Sequence, residues 1–313
     1  MTLPPDQPGQ TFVTVSPIPA GFITLPEKFF VHPADAEAKR TVPSLAFLIT
    51  HPGSDVFSST NATSRQPLRL MFDLGLRSKA ERYMHVQQNH LHTREPYRLQ
   101  GAADLLRAGG VAPEDVDAVM LSHVHYDHHG DPEDFPNAVF LVGHGALNIL
   151  EHGLSGKGSH QHFDPNLLPH DRTEELPAIG EEAPNDRPSW TWAEAGPFPA
   201  ALDLLGDGSM YAIDTPGHLP GHVNLLCRTG PQSWVCLAGD AYHDPRLLTG
   251  DKEIGYWAGE SGETLCIHLD KDAASQSIER LRKLAEDESV ELVAAHDDGW
   301  YERNKARMFP AHL

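Results

Sequence analysis

Three histidines and one aspartate fall within six residues, His123-Val124-His125-Tyr126-Asp127-His128. Imidazole suits zinc, iron and other borderline metals, and a carboxylate completes a mixed nitrogen and oxygen site. In an extended segment His123 and His125 point the same way, so they can bind one metal together. Asp127 and His128 follow around a turn and can face a second metal. Three more segments add ligand types at the ends of apolar runs. Thr215-Pro216-Gly217-His218-Leu219-Pro220-Gly221-His222 sets histidines on a Pro/Gly turn, Leu237-Ala238-Gly239-Asp240 ends in a carboxylate, and Val293-Ala294-Ala295-His296 ends in an imidazole. No GxSxG elbow indicates a serine nucleophile.

These residues need a scaffold of strands that all deliver to one end. Apolar or alternating runs at 11–15, 45–50, 68–73, 118–121, 138–142, 209–214, 222–227, 233–238 and 290–295 read as strands. The 118–121 strand leads through Ser122 straight into the histidine cluster, which therefore lies on a loop held by a rigid sheet. Helical spacing appears at 97–108, closed by Gly109-Gly110, at 145–151 and at 273–286. The polar 53–66 stretch reads as a hairpin connection. Residues 153–200 show little periodicity and read as an inserted loop or cap partly covering the site, with Trp190 and Trp192 favouring packing. Strands followed by helices in each half suit a layered sandwich better than a doubly wound sheet.

The 313 residues are enough for a full core and fit one domain spanning 1–313. Twenty-four basic against 44 acidic residues give a net charge of −20, which repels phosphate backbones and anionic lipid. Nucleic acid and membrane are thus set aside in favour of a neutral or weakly charged small molecule. Cys227, Cys236 and Cys266 form no disulfide framework and read as reduced thiols. With no signal-like start and no long apolar run, the expectation is a cytoplasmic protein.

The order HxHxDH, then GHxxGH, then a strand-end Asp, then a strand-end His resembles the metallo-β-lactamase superfamily, over about residues 45–300. The resemblance implies an α+β fold, a four-layer αββα sandwich with two divalent metal ions, zinc by default, at one edge. It implies that His123, His125 and His218 hold the first metal and that Asp127, His128 and His296 hold the second, with Asp240 bridging. Asp73 matches a strand-end Asp behind the ligands, with Leu74 where the family usually has Thr, and His222 matches a structural histidine.

Within the superfamily, SHVHYDHHG, DTPGHLPGH, GDAYH and a C-terminal MFP make the chain most similar to N-acyl-homoserine lactonases. That branch has a substrate-contacting Tyr three residues after the bridging Asp. Here the position is His243, with Tyr242 one earlier, and both are candidates to donate a hydrogen bond to a carbonyl. Asp127 joins them as a candidate catalytic group.

The implied reaction is opening of a lactone by a hydroxide bridging two metals. A lactam hydrolase with the same site is the runner-up. A thioesterase would call for a basic patch to take a glutathione-like acid, and none is evident in the sequence; a single-iron sulfur dioxygenase would differ in metal content. Apolar strand edges and the Trp-bearing 153–200 stretch make a homodimer the assembly to test.

Overall fold

The computed structural model describes residues 2–54, 56–57, 67–154, 162–259 and 261–313. Most of the 53–66 connection, and 155–161 of the 153–200 stretch, lie outside the described residues. The first half of the chain runs β1 (Thr14–Pro26), β2 (Val31–His32), β3 (Lys39–His51), β4 (Leu68–Phe72), α1 (His85–His92), α2 (Ala102–Ala108), β5 (Ala118–Met120), β6 (Val139–Val142) and α3 (Ala146–His152). It continues with β7 (Thr173–Glu175), β8 (Ala193–Ala195), β9 (Phe198–Asp203), β10 (Met210–Asp214), β11 (Val223–Gly230) and β12 (Ser233–Leu237). Then come α4 (Pro245–Thr249), β13 (Glu253–Ile254), β14 (Trp257–Ala258), β15 (Thr264–Leu265), α5 (Lys271–Ala285), β16 (Val290–Val293) and α6 (Asp298–Asn304).

One six-stranded sheet has the order β1-β3-β4-β5-β6-β7, and the other β16-β12-β11-β10-β9-β8. Alternation along the strands explains the layers. Leu70 and Phe72 of β4 meet Leu225 and Cys227 of β11 between the sheets. Met71, one residue out of phase, faces outward onto Ala103 and Leu106 of α2. On the other side Leu226 faces α5, which offers Ala274, Ile278, Leu281 and Leu284 at helical spacing. Helix, sheet, sheet and helix make the four-layer αββα sandwich. Asp270 caps α5 by accepting a hydrogen bond from the Ala273 amide at 2.9 Å. Among the described residues no helix is long and apolar enough to cross a membrane.

The structure corrects three sequence readings. The strand expected at 11–15 starts at Thr14 and extends to Pro26, paired with β3. Pro17 and Pro19 are accommodated because β1 lies at the edge of its sheet, where a missing N–H costs no ladder bond. The helix expected from 97 begins at Ala102, because Arg98 exchanges backbone hydrogen bonds with Phe22 at 2.8 Å each. The 153–200 stretch is not all loop: it supplies β7 to one sheet, and β8 with the start of β9 to the other. Short strands at sheet edges leave too few residues for periodicity to register.

Candidate metal centre

The two sheets present their loops at a common edge. The 122–130 loop follows β5, Asp73 follows β4, His218 sits on the turn between β10 and β11, Asp240 follows β12, and His296 follows β16. The sheets are tied there by the Val223 amide, which donates to the Ser122 carbonyl at 2.9 Å. Gly217 has φ 128°, and a Cβ on it would lie 2.2 Å from the Ala274 amide nitrogen. Only glycine lets this turn pass so close to the start of α5.

All seven residues expected as metal ligands come together and are buried. His123 Nε2, His125 Nδ1 and His218 Nε2 form a triangle with sides of 2.8, 3.0 and 3.2 Å. Nitrogens about 2.0–2.1 Å from a tetrahedral zinc would stand roughly 3.3 Å apart. Asp240 divides its two oxygens. Oδ2 lies 3.3 Å from His218 Nε2 and 3.7 Å from His123 Nε2. Oδ1 lies 3.3 Å from His128 Nε2 and 3.4 Å from His296 Nε2. Asp127 Oδ2 completes the second group, 3.6 Å from His296 Nε2.

Hydrogen-bond accounting fixes which ring nitrogens face inward. Asp73 accepts from the Ser122 amide at 2.7 Å and from the Ser122 hydroxyl at 2.8 Å. With its single proton so used, Ser122 Oγ can only accept from His123 Nδ1 at 2.9 Å. His123 Nε2 therefore carries a lone pair toward the centre. His128 Nδ1 donates to Asp73 at 2.9 Å, and His296 Nδ1 donates to the Pro43 carbonyl at 2.7 Å, so both turn Nε2 toward the centre. Burial would lower His128, but the Asp240 and Asp73 carboxylates raise it well above the ordinary histidine range, so a cation bound there would have to displace its proton. His222 is different: its Nε2 accepts from the Asp240 amide at 3.1 Å, so it holds the backbone of Asp240.

Burial pushes His123, His125 and His218 well below the ordinary histidine range, the form in which imidazole binds metal. Burial alone would raise the Asp240 carboxyl, but His128, His243 and His296 hold it well below the usual carboxylate range. Among the described residues, buried His128 Nε2 and Asp240 Oδ1 lie 3.3 Å apart without good hydrogen-bond geometry, and neither has another hydrogen-bond partner. Buried imidazole and carboxylate atoms converging in this way fit bound metal ions.

The cavity above this cluster is lined by Leu25, Phe29, His125, Tyr126, Asp127, His218, Asp240, His243, Ile267 and His296. Of the two carbonyl-binding candidates, His243 faces the site, with Nε2 at 3.0 Å from Asp240 Oδ2. Tyr242 does not line the cavity; it is buried in the apolar layer outside the second sheet, where desolvation raises its hydroxyl well above its ordinary range. Successive side chains leave the turn after Asp240 on opposite sides. Sequence reasoning missed His268, buried with its ring 5.1 Å from His218 and 5.3 Å from His243, because no motif marks it. It also missed Phe163, stacked on His125 at 5.9 Å.

Residues 68–296 match the family model of the metallo-beta-lactamase superfamily, and the chain belongs to that superfamily. It is 31% identical over 219 residues to the N-acyl homoserine lactonase AttM of Rhizobium radiobacter, covering 68% of this chain and 70% of that one. It is 31% identical over 212 residues to the gamma-lactamase FDB1 of Fusarium pseudograminearum (strain CS3096), covering 64% of this chain and 45% of the relative. Longer curated relatives also match, and the chain spans only about a third of their length. Its fold is that of an N-acyl homoserine lactone hydrolase solved with the product N-hexanoyl-L-homoserine at its catalytic metal center. The TM-score is 0.63 at 19% identity, with all of both chains covered.

Proposed function

We propose that this chain is a dinuclear metal-dependent hydrolase that opens a small cyclic ester, a lactone. The observation that carries the reading is the divided carboxylate of Asp240, one oxygen toward His123 and His218, the other toward His128 and His296. In this reading His123, His125 and His218 hold one ion, Asp127, His128 and His296 hold the other, and Asp240 spans both. Zinc is the first metal to test, given a nitrogen-rich set with carboxylates. Such a pair, when bound, supplies Lewis acidity and a water activated near neutral pH.

The side chains do the rest. Asp73, Ser122 and the Pro43 carbonyl keep the imidazoles aimed inward. His222 fixes the Asp240 backbone. His243 is placed to donate a hydrogen bond to the ring carbonyl or the departing oxygen. Leu25, Phe29 and Ile267 keep bulk water out and suit an uncharged ring. The lactonase relative supports this substrate class, and the gamma-lactamase relative favours a cyclic amide as the second reading.

The test is metal-replete protein assayed side by side on an acyl homoserine lactone, a plain γ-lactone and a γ-lactam, with metal counted per chain. Two ions per chain and fastest turnover of a lactone are expected. Faster lactam opening selects the second reading. Two ions with no ring opening of any probe overturns both.

A further inference from the structure

The described residues include three buried arginines, Arg77, Arg94 and Arg228. Arg77 is paired with Asp131 at 3.2 Å and Glu133 at 2.8 Å. Arg228 is paired with Asp6 and held by the Pro4 and Gly208 carbonyls. Arg94 differs. It is 7% exposed, and among the described residues no carboxylate lies within ion-pair distance of it. Its Nε has no hydrogen-bond partner. Its Nη2 lies 3.4 Å from His90 Nε2, a neutral acceptor, since burial and then the Arg94 charge push His90 down to about 4. Its guanidinium also acts on the Tyr126 hydroxyl. A buried cation without its anion costs several kcal/mol, in a chain with 44 acidic residues to choose from.

The location gives the cost a purpose. Arg94 stands directly behind two residues of the cavity wall. Its Cζ is 5.0 Å from the centre of the Phe29 ring, and Tyr126 is its other neighbour. The space left above the metal cluster is about 10 Å³, room for a single water, so a ring-sized molecule enters only if a wall residue yields. Of the apolar wall residues Leu25, Phe29 and Ile267, only Phe29 is not fully buried; it sits on the short Glu27–Phe29 turn with its ring 4.4 Å from Trp257. Displacing Phe29 would remove the ring that lies against the guanidinium. Asp127, a carboxylate that acts on Tyr126, is committed to the His296 side of the metal cluster.

We propose that Arg94 and the Tyr126 hydroxyl form an anion subsite that takes a carboxylate carried by the substrate, away from its scissile carbonyl. The proposal rests on the ring-opening reading above. The planar guanidinium suits a carboxylate in two-pronged fashion, and a single negative charge remains compatible with the acidic surface. Hydrogen bonds to a charged partner correspond to about 10- to 100-fold in affinity.

The probes are a γ-lactone bearing a ring carboxylate, 5-oxotetrahydrofuran-2-carboxylate, and its carboxamide, with metal-replete enzyme. Wild-type kcat/KM is expected to favour the carboxylate by about tenfold or more, through KM. Arg94→Gln brings that ratio to about one, and Arg94→Lys falls between. No wild-type preference, or an Arg94→Gln loss equal for both probes, overturns the subsite. If Arg94→Gln does not fold, the wild-type ratio and its weakening by Arg94→Lys decide alone. If neither probe is opened, thermal shifts of the metal-replete protein with each probe separate the two ideas. An Arg94-dependent preference for the carboxylate keeps the subsite while the ring-opening reading falls, and its absence removes the subsite.

Discussion

The two walls of the cavity are built on opposite plans. On the metal-facing side His123, His128 and His296 each spend one nitrogen on a fixed partner, Ser122, Asp73 or the Pro43 carbonyl, and offer the other. On the far side His243 Nε2 stands 3.0 Å from Asp240 Oδ2, while among the described residues neither ring nitrogen of His268 nor Nε of Arg94, which stands behind Phe29 and Tyr126, has a hydrogen-bond partner. The first wall is complete once cations are added. The second keeps polar atoms, at His268 and Arg94, that no described residue satisfies. The difference teaches that the chemistry is preorganised by the scaffold, while selectivity is left to groups that only a substrate completes.

The largest effect tests the metal-facing wall. Asp240→Asn is expected to cut metal content to one ion per chain or fewer and turnover by about 10³-fold, several kcal/mol of transition-state stabilisation. Full metal content with wild-type turnover would sink the bridging role. Next comes the support behind the ligands. Asp73→Asn takes away a charged acceptor shared by Ser122 and His128, and should cost 10–100-fold in metal affinity, read by titration with a competing chelator. An unaltered affinity would mean that the inward orientation does not depend on Asp73.

The smallest effect sharpens the contrast between walls. His243→Ala should keep both ions yet lower kcat/KM for a lactone by about tenfold, the worth of one hydrogen bond to a reacting group. Tyr242→Phe, one residue earlier, should leave kinetics alone and show itself only in thermal stability. A kinetic loss in Tyr242→Phe that matches His243→Ala would erase the distinction drawn between them.

Much of this centre is legible in the chain. HVHYDH could be read because its ligands are covalent neighbours, and an extended segment fixes their facing within two residues. The strand-end positions of His218, Asp240 and His296 could be read because apolar runs end abruptly at Pro, Gly or a polar residue. The edge strands β7 and β8 could not, since three residues carry no period. The full length of β1 could not either, since its alternation is interrupted by prolines that an edge strand tolerates.

By itself, then, the sequence determined the ligand types, their order and the layered fold that gathers them, because these follow from local spacing and periodicity. Only the tertiary structure decided which oxygen of Asp240 meets which histidines, that His243 rather than Tyr242 enters the cavity, and that Arg94 and His268 stand beside it. Those facts depend on how turns aim side chains and on contacts between residues far apart in the chain, such as Pro43 and His296, 253 positions apart. Neither is encoded in any one stretch of the chain.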